Sequence, residues 1–198
     1  YWKIRMKKLR LSPLLFLLVF SYVLIEGSFD PLLILLFSLI HEMGHILMIR
    51  FFGGGINGFS GGGQGFGLQV NGLSYRQEFW VALAGPLTSI LLTLFFGVLA
   101  LWRRTEHLWF CCFANFALAA MNLLPIVPLD GGRILSAALA LRCEPQRQQA
   151  VVNIVGLCCL LPLLGAAFWQ FLSSGYNISL LFVCFYLIGL IKENGYDL

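Results

Sequence analysis

The stretch whose reading decides the fold is Pro31-Leu32-Leu33-Ile34-Leu35-Leu36-Phe37-Ser38-Leu39-Ile40-His41-Glu42-Met43-Gly44-His45-Ile46-Leu47-Met48-Ile49. A bilayer-spanning helix takes about 20 apolar residues, and this run is about that long. Yet it carries two imidazoles and a carboxylate. Histidines at i and i+4 lie about 40° apart on one helical face, one turn from each other. Two neutral imidazoles at that spacing can share a Zn²⁺, and Glu42 stands on the adjoining part of the face, where it can act as general base on water. The plainer alternative is a helix whose histidines bond only to nearby backbone. Ionisable groups are costly in lipid, so within a membrane-length run they mark a functional site by default.

Composition widens this reading to the whole chain. The 198 residues are 59% hydrophobic and 11% charged, with a mean hydropathy of +0.85. Such values belong to an integral membrane protein and leave no room for a large soluble domain. The net charge of +4 comes without a basic stripe interleaved with exposed aromatics, so nucleic acid is not expected as a partner. Cys111, Cys112, Cys143, Cys158, Cys159 and Cys184 form no Cys-x-x-Cys pair and read as small buried hydrophobes.

Outward from the decisive stretch, further apolar spans are expected at about Leu11–Ile25, Phe79–Leu101, Leu108–Leu124, Val151–Leu172 and Ile178–Ile191. Lys3, Arg5, Lys7, Lys8 and Arg10 precede the first, and no small-x-small cleavage site follows it, so it reads as a membrane helix rather than a signal peptide. Met6 is a candidate native start. The segment Gly53 to Val70 is rich in glycine but lacks the Gly-Lys-Ser/Thr of a phosphate loop. It is either a flexible linker or a hairpin dipping to the membrane, with Phe66, Leu68, Gln69 and Val70 in a strand whose edge can pair with a peptide. Ala84-Gly85-Pro86 inside the third span implies close packing or a bend. The fourth span breaks at Asn122-Leu123-Leu124-Pro125-Ile126-Val127-Pro128-Leu129-Asp130-Gly131-Gly132-Arg133, after which Ile134–Leu141 can resume as a short helix and residues 142–149 form a polar loop. The expected fold is an all-α polytopic membrane protein of about six transmembrane helices, with a membrane-dipping hairpin after helix two and a broken helix four. It forms one domain over 1–198, with core helices in 31–142.

Charge sets the expected orientation. With six spans and both termini cytoplasmic, Lys3, Arg5, Lys7, Lys8, Arg10, Arg50, Arg76, Arg142, Arg147 and Lys192 fall inside, and only Arg103 and Arg104 outside. The second and fourth spans then both run inward, bringing His45 and Asp130 to the cytoplasmic side. A catalytic zinc takes three protein ligands and an open position. Asp130 is the candidate third ligand, with a helix cap ahead of Ile134 as its alternative role. His107 reads as a solvated residue at the opposite interface.

Taken in order, His41-Glu42-Met43-Gly44-His45, Ala84-Gly85-Pro86-Leu87 and the Asn122–Arg133 segment resemble the site-2 protease family of intramembrane zinc metalloproteases. The resemblance spans about residues 31–142. It implies one Zn²⁺ per chain on His41, His45 and Asp130, Glu42 as base, and Asn122 on substrate or oxyanion, or else simply hydrogen-bonded within its helix near the break. It implies a membrane-associated or membrane-spanning protein as substrate, contact with the lipid bilayer, and a membrane-protein regulator or inhibitor. No PDZ-type insert interrupts the chain. The short N-terminus is similar to the sporulation branch, which processes a sigma-factor precursor; its better-known members carry a C-terminal CBS domain, which is not expected here. Ser89 stands where many members have Asn. The rival readings are a non-proteolytic metal-binding scaffold, disfavoured by the presence of Glu42, and a metal transporter, disfavoured by the few polar groups in spans one, five and six.

Overall fold

Asp30 in the first turn and Arg50 in the last complement the macrodipole of α1, Asp30–Phe51. Gly53, at φ +71°, ends the helix: Gly54 N–H bonds Ile49 O and Gly53 N–H bonds Arg50 O, the paired bonds of a left-handed cap. The computed structural model describes residues 30–62, 65–126 and 129–173, with positions 181, 184, 185, 188 and 189. Strands β1 (Gly55–Gly62) and β2 (Gly65–Asn71) follow as an antiparallel pair. Ile56 faces Val70 and Phe59 faces Leu68, so Asn57 and Gly58 together oppose Gln69 in a bulge.

Ser74 caps α2, Tyr75–Arg103, through a capping box with Gln77. Arg104 at φ 51° turns the chain into α3, Glu106–Asn122. Two helices complete the described elements: α4, Asp130–Ala140, and α5, Pro145–Ser173. α1, α3 and α4 all pack against α2. The buried face of α2 explains this, since Ala82, Ala84, Gly85, Ser89 and Ala100 are small enough for neighbouring backbones to approach closely.

Among the described residues, α1, α2 and α5 are long and apolar enough to cross a membrane. Leu91, Leu94 and Val98 of α2 and Leu161 and Trp169 of α5 lie more than 60% exposed. An apolar surface of that extent suits lipid. The protein is an integral membrane protein.

Two expected boundaries are corrected. The fourth-span break resumes as helix at Asp130 rather than Ile134, and the expected polar loop 142–149 is helical from Pro145. Pro145 needs no N–H at the first position of a helix, and Gln148 N–H bonds Glu144 O. The expected span Leu11–Ile25 lies outside the described residues, as does most of Ile178–Ile191. Leu181, Cys184 and Ile188 of the latter join Ile126, Leu160 and Ala167 in a hydrophobic core.

Candidate metal centre

The buried stripe of α1 is Phe37, His41, Gly44, His45 and Ile49, which faces α2 in antiparallel register. Phe37 meets Phe96 edge-on at 5.5 Å, and His41 meets Ser89 one level deeper. A Cβ on Gly44 would crowd Thr88 Oγ1 and stand 2.9 Å from Ala84 O. This contact brings the helices close enough for both imidazoles to rest on Gly85. A methyl at Gly85 would lie 2.5 Å from His45 Cε1 and 2.6 Å from His41 Nε2. The expectation of close packing at Ala84-Gly85-Pro86 thus has a specific content: the helix surface behind the imidazoles must be bare.

The third element arrives from below. Leu129 is the N-cap of α4 and offers no side-chain cap bond, so the carboxylate of Asp130 is not used for capping. Asp130 Oδ2 lies 3.0 Å from His41 Nε2 and 3.2 Å from His45 Nε2, while Oδ1 accepts from Arg133 Nη1 at 3.3 Å. Gly131 allows this placement, because a side chain there would collide with the Leu123 and Leu124 carbonyls. His41, His45 and Asp130 are 3%, 4% and 6% exposed, so water does little to offset their charges.

The opposite ring nitrogens determine what this geometry means. His45 Nδ1 lies 2.7 Å from Val81 O, an acceptor only, so Nδ1 carries the hydrogen. In the neutral ring, Nε2 is then a bare lone pair facing a carboxylate oxygen. A cation must reconcile them. Two imidazolium protons and a Zn²⁺ bring the same charge to this carboxylate and Arg133, so the donor geometry is what favours a metal. A zinc ion fits the donors better: at about 2.0–2.1 Å from the metal, tetrahedral ligands stand about 3.3 Å apart, close to the separations seen. Glu42 is half-buried, with an oxygen in a group that also holds one ligand atom of His41 and one of His45, all within 4.8 Å of one another.

The other candidates are placed differently. Asn122 Nδ2 donates to Leu118 O at 2.9 Å, within its own helix. Phe66, Leu68, Gln69 and Val70 lie on β2. His107 is exposed in the first turn of α3. Sequence reasoning missed Val81, whose contribution is a backbone carbonyl and has no residue signature. It also missed Arg133, although its place three residues after Asp130 on a helix was a usable signal.

Fold and site together define a class: an integral membrane protein of packed helices with a metal-competent His, Glu, His and Asp cluster buried against a glycine. Residues 100–163 match the family described as Peptidase family M50, and the chain resembles the zinc metalloproteases of the site-2 protease family. It is 31% identical over 169 residues to Stage IV sporulation protein FB of Bacillus subtilis, covering 81% of this chain and 58% of that one. It is 32% identical over 125 residues to the putative zinc metalloprotease Rip3 of Mycobacterium tuberculosis, covering 57% of this chain and 31% of that one. The chain therefore spans less than two thirds of the length of either relative. Its fold is similar to that of the site-2 protease from Methanocaldococcus jannaschii, with a TM-score of 0.66, 21% identity and coverage of 93% and 88% of the two chains.

Proposed function

We propose that the protein is an intramembrane zinc metalloendopeptidase that cuts a membrane-associated or membrane-spanning protein near the cytoplasmic face. The observation that carries this reading is the convergence of two imidazole Nε2 atoms on one buried carboxylate oxygen, with Glu42 beside them. One zinc per chain would be held by His41, His45 and Asp130 and, when bound, would supply the Lewis acidity that acidifies water and polarises a carbonyl. Glu42 takes a proton from the attacking water and returns it to the leaving amine. Asn122 rotates from the Leu118 carbonyl to donate to the developing oxyanion. The site lies in a single membrane domain, with its ligands His45 and Asp130 toward the cytoplasmic side. The likeness to a sporulation protein supports a sigma-factor precursor as the substrate class, with a membrane-protein regulator as partner.

Cleavage of a membrane-anchored substrate by purified protein, with the cut mapped, tests both reaction and orientation. The expected product is cut at the cytoplasmic end of the substrate's apolar segment. A zinc-loaded protein that leaves such substrates intact overturns the protease reading in favour of a scaffold; a cut at the far end reverses the orientation.

A helical substrate keeps its amides in internal hydrogen bonds and must be unwound before attack. In the two-stranded sheet each strand has an outer edge, and β2 offers replacement bonds to an extended segment. Phe66, Leu68, Gln69 and Val70 form that edge. Pro at Gln69 removes an N–H on the strand facing the bulge, and Pro at Leu68 or Val70 tests the other register. At least one of the three is expected to slow cleavage about tenfold or more, the loss of roughly one backbone hydrogen bond. Gln69→Ala should be nearly silent. Undiminished turnover in all three proline variants, with zinc bound, makes the segment a linker.

A further inference from the structure

The two histidines are held unequally. The carbonyl behind His45 can only accept, which compels Nδ1–H and leaves Nε2 bare. Behind His41 stands the Ser89 hydroxyl, 2.9 Å from Nδ1. A hydroxyl donates or accepts equally well, so this contact alone does not choose the tautomer. Were Ser89 to donate, the hydrogen on the ring would sit on Nε2, facing Asp130, where a metal needs a lone pair.

An unassigned buried group lies on the helix opposite. Asn115 of α3 is 0% exposed, and its Nδ2 donates to Cys111 O at 2.8 Å. That bond fixes the amide's sense and leaves Oδ1 as an acceptor, buried and without a partner among the described residues. A buried acceptor in this state calls for a donor, and a bridging water is the usual one. The register of the two antiparallel helices locates it. Cys112 Sγ lies 3.4 Å from Thr93 O, so Asn115, nearly one turn further along α3, comes level with the Ser89–Thr93 turn of α2. Ser89 is itself 0% exposed, and the described partner of its Oγ is His41 Nδ1.

We infer that Asn115 and Ser89 form a hydrogen-bond relay behind His41, closed by one buried water, which allows that histidine its metal-binding tautomer. Every donor in it points one way. His41 Nδ1–H donates to Ser89 Oγ, the Ser89 hydroxyl donates to the water, and the water donates to Asn115 Oδ1. The water held by Asn115 Oδ1 offers the Ser89 hydroxyl an acceptor, so Ser89 can send its single hydrogen outward while it accepts from His41; without that water its hydrogen would have only His41 Nδ1 to go to. Asn115 thus makes available for His41 the tautomer that the Val81 carbonyl compels in His45. Both Ser89 and Asn115 are positioning residues.

The inference rests on the zinc reading, and zinc affinity separates the two. Chelator competition on wild type, Ser89→Ala, Asn115→Leu and the double variant, all in lipid nanodiscs, gives the comparison. Each single change is expected to weaken zinc about 10–100-fold, the usual effect of losing an outer hydrogen bond to a metal-bound histidine. The double variant should be no weaker than the worse single one, since both break one chain. Ser89→Thr keeps the hydroxyl and should restore affinity. Cobalt-substituted Asn115→Leu should show an altered ligand-field spectrum, which a merely structural loss of packing would not produce. Should Asn115→Leu fail to fold, Asn115→Ala gives the same comparison with space left for water. Wild-type affinity in the Asn115 variant, or losses that multiply in the double variant, overturns the relay while the zinc site stands. Failure of wild type to bind zinc overturns both.

Discussion

Glu42→Gln is expected to hold close to one zinc per chain and to cleave about 10²–10⁴-fold more slowly than wild type, the range a positioned general base contributes. The reason lies in how the two kinds of carboxyl group are placed. Asp130 is buried with one oxygen against both Nε2 atoms and the other on Arg133, a position from which it can bind but not shuttle protons. Glu42 is half-buried, with an oxygen within 4.8 Å of one ring nitrogen of each histidine. Glutamine keeps the size and polarity of Glu42 and loses only the basic oxygen. Asp130→Ala, by contrast, should lose zinc and cleavage together, since two imidazoles alone make an incomplete ligand set. Metal analysis alongside the cleavage assay distinguishes these outcomes. Wild-type turnover in Glu42→Gln moves the base elsewhere; full zinc content in Asp130→Ala moves the third ligand.

A single methyl group is expected to be nearly as damaging. Gly85→Ala places a carbon 2.5–2.6 Å from ring atoms of both histidines, nearer to His45 Nε2 still, where no side-chain contact is sustained. Relief by separating the helices is opposed by the rest of the seam. Ala82, Ala84, Pro86 and Ser89 are all buried, and Phe37 on Phe96 closes its outer end. The imidazoles must therefore turn, which takes their Nδ1 atoms off Val81 O and Ser89 Oγ and their Nε2 atoms off the common point near Asp130. Zinc affinity should fall more than about 100-fold, beyond the usual cost of losing one outer hydrogen bond. Gly97→Ala is the control, because its methyl meets Cys112 Sγ at an ordinary 3.4 Å and should change neither affinity nor activity. Equal zinc binding in the Gly85→Ala and Gly97→Ala variants would show that the glycine contact does not organise the site.

These expectations draw on unequal amounts of sequence and structure. His41, Glu42 and His45 are close along one helix, so spacing and residue chemistry alone place them on one face. Their cost in an apolar run marks them as functional. Local composition likewise set membrane-length helices over α1, α2 and α5, because hydropathy over some 20 residues is a property of the segment itself. The start of α4 was misjudged because propensity counts Gly131 and Gly132 against a helix. Here Gly131 is what lets its first turn lie on the Leu123–Leu124 carbonyls. Asp130 could be named from its acidity and its expected side of the membrane, but its distance to the histidines is a contact across 85 and 89 residues of chain. What the amino-acid sequence determined by itself was the kind of chemistry and the medium, since ligand type, helical spacing and apolar length are written locally. Only the tertiary structure decided which atoms hold the imidazoles, because a backbone carbonyl, the missing side chain of Gly85 and a serine hydroxyl acquire those roles solely from the register in which α2 packs on α1.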